Sequence, residues 1–144
     1  PLSDVKIDTE SDSIEIDTSS EAIVKVRRGQ QKFRRSIVKY WGGCCCLTGL
    51  KKAEVLIASH IIPWELASNK ARLDKFNGLL LSPNADKLFD KGFISFDEHG
   101  NLIRGNKISE EDLNVLGLQS GMKIHGLTTK HHEYLKEHRR IFKI

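Results

Sequence analysis

Residues 59–92 read SHIIPWELASNKARLDKFNGLLLSPNADKLFDKG, and this stretch decides the fold. Three polar residues in it, His60, Asn77 and Asn84, stand beside runs of isoleucine and leucine. Burying a polar side chain without a partner costs about 1–3 kcal/mol. Three such residues in one stretch therefore predict a functional site rather than an ordinary packed core.

The same stretch predicts a strand, a loop, a second strand and a short helix. The first strand ends near His60, and a polar connection with room for one helical turn covers residues 65–75. Residues 79–81 are a short buried strand. Residues 82–83, Ser-Pro, are a helix-start signal, since serine caps a helix and proline suits its first position. Asn84 then lies in the first turn of a helix that ends at Gly92.

The residues before this stretch predict a helix and a hairpin. Phe33, Ile37 and Trp41 recur at four-residue spacing, which indicates a helix over residues 27–41 that stops at the Gly-Gly pair after it. Residues 44–62 are small and β-branched, with turn signals between them, and indicate a hairpin whose second strand ends near His60.

The residues after the stretch predict a second hairpin and two helices. The hairpin covers residues 93–103, with a turn at residues 97–100. Ser109 and Asp112 fit a capping box for a short helix. A final helix covers residues 130–142, with four residues on one face: Leu135, His138, Ile141 and Phe142. The predicted fold class is α+β.

Length and charge suggest one basic domain behind an acidic segment. The chain has 144 residues and a net charge of +4. Residues 1–22 carry seven acidic residues and one basic residue, a net −6 that leaves +10 for the rest. We predict an acidic arm or linker over residues 1–22 and a globular domain over residues 23–144, whose charge favours an anionic partner. No apolar run approaches the roughly 18 residues of a membrane span.

The three cysteines, Cys44, Cys45 and Cys46, are consecutive. Consecutive cysteines offer no disulfide framework, so we expect a reducing, cytoplasmic location. They also lack the C-x₂-C spacing of a structural zinc site, and none is expected. Packing as small hydrophobic residues on a strand is the interpretation we adopt.

The polar residues suit phosphodiester hydrolysis. A neutral imidazole is suited to activating water, because its pKa lies near the operating pH. A divalent cation held by oxygen ligands neutralises charge on phosphate oxygens. An asparagine amide fixes a histidine ring or supplies an oxygen to a metal.

These motifs carry a resemblance to a known family. SHIIPW, FNGLLLSPNADKLFDKG and the preceding RRGQQKFRRSIVKYWGGCCCLTG resemble the HNH endonucleases of the ββα-metal fold. In particular they are similar to the branch found in bacterial restriction enzymes and antiphage nucleases. The resemblance covers roughly residues 27–142. It implies an HNH core with an N-terminal helix, an extra β-hairpin and C-terminal helices.

The resemblance also implies roles for single residues. His60 matches the general base, Asn77 the residue that orients it, and Asn84 the last His or Asn, which binds the metal. One Mg²⁺ ion, or Mn²⁺, is implied, with DNA as substrate and 5′-phosphate and 3′-hydroxyl products. Ser59 stands where many members have an acidic metal ligand, and Asp86 is the candidate to supply that charge. DNA backbone contacts are expected from six basic residues: Arg27, Arg28, Arg34, Arg35, Lys51 and Lys52.

Each residue also has a structural alternative. His60 suits a buried structural histidine, Asn77-Gly78 suits a turn, and Asn84 and Asp86 suit a helix start. Asp90 is expected to fix the turn after its helix. His131 and His132 are expected at a solvent-facing helix start.

Three functions follow. The first is a metal-dependent DNA endonuclease, in restriction-modification or antiviral defence. The second is a catalytically degenerate DNA-binding module of the same fold. The third is a nuclease effector domain that is inactive without its regulatory domain, with the acidic arm lying across the basic face. A homodimer is compatible with these functions, and the chain could be part of a larger multidomain protein. No membrane partner is expected.

Overall fold

The computed structural model describes residues 19–144, so the first 18 residues of the predicted acidic arm lie outside the described part. The described residues form an α+β fold, as predicted, with two pairs of antiparallel strands. In chain order the elements are α1 (Ser20–Tyr40), β1 (Ile57–His60), α2 (Asn69–Leu73), β2 (Gly78–Leu81), α3 (Pro83–Asp90), β3 (Ile94–Phe96), β4 (Leu102–Arg104), α4 (Glu110–Val115) and α5 (Thr129–Phe142). Short 3₁₀ turns cover Ala53–Val55, Trp64–Leu66 and Lys75–Asn77.

Helix α1 begins at Ser20, seven residues before the predicted start. The cause is the cap: the Ser19 side chain accepts a hydrogen bond from Ala22 N–H at 3.2 Å. Phe33 and Ile37 are fully buried, which confirms the apolar stripe. After the helix, Gly42 and Gly43 take positive φ angles of 66° and 74° and turn the chain away.

Strands β1 and β2 pair in antiparallel register, with Ile57 opposite Leu81 and His60 opposite Gly78. The pair packs closely against α1 at Gly78. A Cβ there would lie 2.4 Å from Ile37 Cδ1 and 2.7 Å from a ring atom of Phe33. Only glycine fits, so Gly78 is a packing residue and its backbone is extended, not a turn.

The predicted hairpin over residues 44–62 is wrong. Residues 44–50 form turns, and the partner of β1 is β2. All four residues of β2 are buried, whereas Lys51 and Lys52 are exposed, so β1 gains more burial by pairing with β2. Cys45 is buried as expected but lies in a turn, where its sulfur accepts hydrogen bonds from Thr48 N–H and Ser82 N–H at 3.3 Å each.

The core ββα unit ends with α3, which follows β2 directly. Ser82 is its N-cap residue and Pro83 its first residue, as predicted. Gly92, with φ 74°, follows the helix. A Cβ at Gly92 would lie 2.1 Å from the ring of Phe142, so the end of α5 lies on this turn.

The second hairpin and both later helices are confirmed in position. β3 and β4 pair in antiparallel register, and Ser109 caps α4 by accepting a hydrogen bond from Asp112 N–H. The prediction for His131 is wrong: it is fully buried, because its ring packs among Tyr40, Trp41 and Phe76 and its Nδ1 accepts from Thr128 N–H. Among residues 19–144, no helix has both the length and the hydropathy to cross a membrane.

Candidate active site

His60 is the last residue of β1 and only 4% exposed. The ring of Phe33, on α1, stacks on the imidazole with centroids 3.7 Å apart and an angle of 7° between the planes. The ring of Trp64 meets it edge-on at 5.7 Å. Two aromatic neighbours therefore fix the plane of the imidazole.

One hydrogen bond determines the tautomer of His60. Its Nε2 lies 2.9 Å from the carbonyl oxygen of Arg72. A carbonyl oxygen can only accept, so Nε2 carries the proton and Nδ1 of the neutral ring has a lone pair. Nδ1 is buried and makes no hydrogen bond with the residues the structure describes. Burial lowers the pKa of His60 from 6.5 to about 4, so the ring is neutral at neutral pH.

Asn77 fixes the loop that carries this arrangement. It is fully buried, its side-chain oxygen accepts from Ile62 N–H at 2.8 Å, and its amide group donates to the Ala71 carbonyl at 3.1 Å. Ile62 lies two residues after His60, and Ala71 directly precedes the residue whose carbonyl binds the imidazole. Asn77 thus joins both ends of the loop around His60 without touching the ring through a hydrogen bond.

His60 lines a cleft of about 430 Å³. Lys87 and Asp90 of α3 and Lys91, its C-cap residue, line it too. Their spacing of three and four residues makes them neighbours on a helix. The remaining lining residues come from the loop after β1 and the end of α5: Pro63, Trp64, Glu65, Leu66, Ile141 and Phe142. The cleft therefore combines one imidazole, two ammonium groups and two carboxylates with apolar walls.

Asn84 lies outside this cleft, and its side chain is engaged. Its oxygen accepts from Ser82 Oγ–H at 2.8 Å and from Ala85 N–H at 2.9 Å. Its amide group donates to the carbonyl of Leu116, just after α4. These contacts cap α3 and tie it to α4, which is the structural alternative considered for this residue.

Asp86 and Asp90, the carboxylates of α3, are the candidate metal ligands. Asp86 is 3% exposed and Asp90 half-buried, and they lie one helical turn apart. Within residues 19–144 no group of three or more His, Cys, Asp or Glu residues is placed to hold a metal ion. Mg²⁺ is usually held by one or two carboxylates together with water and substrate phosphates, and not by an all-protein cage. One or two carboxylates suit such an ion, and of these two Asp90 lines the cleft whereas Asp86 does not.

The six basic residues predicted to contact DNA divide into two groups. Arg34 is half-buried, and its guanidinium donates to the carbonyls of Leu56 and Ala53 at 2.8 and 2.7 Å. It therefore holds the segment before β1. The other five are exposed: Arg27, Arg28, Arg35, Lys51 and Lys52.

Sequence reasoning missed Lys87 and Lys91 and assigned Asp90 a structural role only. The signal was present, because these three residues share one face of a predicted helix. What the sequence did not reveal is that this face borders His60. The role of the Arg72 carbonyl was missed for the same reason, because it depends on the path of the loop.

Residues 45–97 match the model of the HNH endonuclease family. That span contains β1, β2 and α3 together with His60 and Asn77, and it confirms the resemblance on the part of the chain that forms the cleft. HNH proteins usually bind a divalent metal ion. No curated protein matches the chain.

Proposed function

Starting from the match of residues 45–97 to HNH endonucleases, we propose that the chain is a metal-dependent DNA endonuclease that hydrolyses phosphodiester bonds. The observation that carries the proposal is the state of His60. Its Nε2–H is bonded to the Arg72 carbonyl, while the Nδ1 lone pair has no partner among the described residues. A neutral ring with one nitrogen bonded and a lone pair on the other is the form that a general base requires. Nδ1 is buried, so the attacking water would have to enter from the cleft that His60 lines.

His60 would take the proton from the attacking water at Nδ1. A pKa of about 4 keeps the ring deprotonated at neutral pH, although it also makes a weak base. A phosphate bound in the cleft raises that pKa, because negative charge nearby favours the imidazolium form. Substrate binding thus moves His60 toward the range in which a base is most effective.

The α3 side chains would bind the scissile phosphate. Lys87 and Lys91 are exposed and border the same cleft as His60, so their ammonium groups can pair with adjacent phosphates. Asp86 and Asp90 are the residues that would hold a Mg²⁺ or Mn²⁺ ion. The chemistry that such an ion supplies is neutralisation of charge on the phosphate and leaving oxygens.

The exposed basic residues support DNA as the substrate class. Arg27, Arg28 and Arg35 on α1, with Lys51 and Lys52 after it, would contact the phosphate backbone without reading base sequence. Cleavage would leave 5′-phosphate and 3′-hydroxyl ends, and the cellular role would be restriction or antiphage defence in the cytoplasm. Both extend the resemblance to restriction and antiphage nucleases.

Plasmid cleavage tests the proposal. Supercoiled DNA should be nicked or linearised with Mg²⁺ or Mn²⁺, EDTA should stop the reaction, and ligase should reseal the nicks, because the ends are 5′-phosphate and 3′-hydroxyl. The matched control is the same protein with Ca²⁺ in place of Mg²⁺, which preserves binding of a hard cation. A folded protein that leaves plasmid intact under all these conditions contradicts the proposal.

One observation favours a second function, a DNA-binding module that has lost the chemistry. Asn84 is engaged in capping α3, and the described residues include no group of three metal ligands. Calorimetry separates the two functions. The endonuclease binds Mg²⁺ or Mn²⁺, whereas the degenerate module binds DNA in a salt-dependent way and no divalent ion.

A further inference from the structure

We propose that Arg72 is a positioning residue for His60, with its side chain clamped onto Trp64 so that its own carbonyl stays against the imidazole Nε2–H. The inference rests on the proposed function of His60 as the base. It assigns the loop between β1 and β2 a definite task, which is to hold the base in one tautomer and one orientation.

The clamp consists of four contacts among Arg72, Trp64 and His60. The Arg72 Nε–H donates to the Trp64 carbonyl at 2.9 Å, and the guanidinium lies 4.4 Å from the centre of the Trp64 ring. The Arg72 carbonyl accepts from His60 Nε2–H at 2.9 Å. The Trp64 ring meets the imidazole edge-on at 5.7 Å. Moving Arg72 therefore moves both the hydrogen-bond partner and the aromatic neighbour of His60.

The clamp acts on the part of the loop that contacts His60, whereas α5 holds the part before β2, where the Asp74 carboxylate accepts from Tyr134 Oη–H at 2.7 Å and pairs with Lys130. Residues 61–77 include only two 3₁₀ turns and the five-residue helix α2. Next to the strands, Ile61 N–H donates to the Asn77 carbonyl at 3.0 Å. The Asn77 side chain joins Ile62 to Ala71, and the clamp joins the neighbouring residues Trp64 and Arg72. Asn77 and Arg72 thus each link the two sides of the loop, and Arg72 also contacts the His60 ring through its carbonyl.

Arginine suits this position better than lysine. Its planar guanidinium stacks on an indole ring while Nε–H donates in the plane, whereas an ammonium group cannot do both in one geometry. Lysine nevertheless keeps the positive charge. Arg72→Lys therefore separates positioning from charge, which matters because the Arg72 charge also contributes, after burial, to lowering the His60 pKa.

The experiment compares Arg72→Lys with Arg104→Lys. Arg104 also donates to a carbonyl, that of Ile108 at 2.7 Å, but lies on β4 and does not line the cleft. Protein labelled with ¹⁵N in its histidine rings reports the tautomer, and loss of one set of signals in His60→Gln identifies those of His60. Plasmid nicking is measured in parallel to obtain kcat and KM.

We expect the parent and Arg104→Lys to show His60 as the Nε2–H tautomer. In Arg72→Lys the ring signals should move toward the average of two tautomers. In the same variant kcat should fall about 10- to 100-fold with KM changed less than about twofold, because a misplaced base slows chemistry and not binding. If Arg72→Lys keeps the Nε2–H tautomer, or loses it and still cuts at the parent rate, the proposal is overturned.

A measurement on the parent protein tests the clamp even if Arg72→Lys does not fold. The Arg72 Nε–H is bonded and stacked, so its exchange with water should be slower than that of the Nε–H of Arg35, which is exposed on α1. Equal exchange rates overturn the clamp. The proposed function fails on a different result, a folded parent that cuts no DNA, and the tautomer and exchange data then still decide whether Arg72 positions His60.

Discussion

Replacing Asn77 with alanine removes the tie between the two ends of the His60 loop. The substitution leaves the Ile62 N–H without its partner and removes one of the two hydrogen bonds that the Ala71 carbonyl accepts, the other coming from Asp74 N–H at 3.2 Å. An unpaired backbone group costs about 1–3 kcal/mol when it stays away from water, and the loss of the second hydrogen bond adds about 1 kcal/mol. We therefore expect Asn77→Ala to lower the free energy of unfolding by about 3 kcal/mol. For a domain of this size that corresponds to a fall in melting temperature of about 10 °C.

Urea denaturation at neutral pH measures this loss. Asn106→Ala is the matched control, because Asn106 is exposed, and it should change stability by less than about 0.5 kcal/mol. Asn77→Asp sharpens the test. It keeps the acceptor for Ile62 N–H but turns a carboxylate oxygen toward the Ala71 carbonyl, so it should destabilise at least as much as alanine. If Asn77→Ala is no more destabilising than Asn106→Ala, Asn77 does not hold the loop and the reasoning is refuted.

Three further predictions concern packing, pH and DNA binding. Gly78→Ala places a Cβ 2.4 Å from the Ile37 side chain of α1 and should lower the free energy of unfolding by about 1–3 kcal/mol. In the control Gly29→Ala the new Cβ meets its nearest neighbour at 3.7 Å, and the free energy of unfolding should rise by about 0.5–1 kcal/mol. Equal effects of the two substitutions in urea denaturation would contradict this packing. Burial lowers the pKa of His138 to about 4, below the roughly 6.5 of an unfolded chain, so the unfolded state binds more protons and stability falls as pH falls. Between about pH 7 and about pH 5, protonation of His138 should lower the free energy of unfolding by about 2 kcal/mol. His138→Gln should lose that part of the pH dependence in urea denaturation, and an unchanged pH dependence would show that His138 is not its source. Lys87→Gln and Lys91→Gln should each reduce the slope of log affinity against log salt by about 1 in DNA-binding titrations, and a slope equal to that of the parent would remove them from the interface.

Strand β2 and helix α3 were predictable because their signals are local. The apolar run of β2 and the Ser82-Pro83 helix start are read from neighbouring residues, and both were confirmed. The partner of β1 was not predictable, because it depends on which distant strand offers more burial. Cys45 shows the same limit: its burial was expected, but its place in a turn follows from that pairing.

The candidate site residues likewise divide into those that the sequence indicated and those that only the fold revealed. His60 and Asn77 stand out in the sequence as polar residues among apolar ones, and they lie around one loop. Asn84 stands out equally, but its amide binds a carbonyl 32 residues further along the chain, a contact that no local pattern reveals. Lys87 and Lys91 look like ordinary surface lysines until the fold brings α3 beside His60.

The single-turnover rate at which His60→Gln nicks plasmid tests whether His60 is the base of a nuclease. Glutamine retains a group that can donate to the Arg72 carbonyl but has no basic nitrogen. Circular dichroism and the urea midpoint establish that the variant is folded, and His99→Gln, in the exposed turn before β4, is the control. We expect a rate lower by roughly 10²- to 10⁴-fold for His60→Gln, with the rate of the control unchanged. A folded His60→Gln that nicks plasmid within about threefold of the parent contradicts the assignment of His60 as the base.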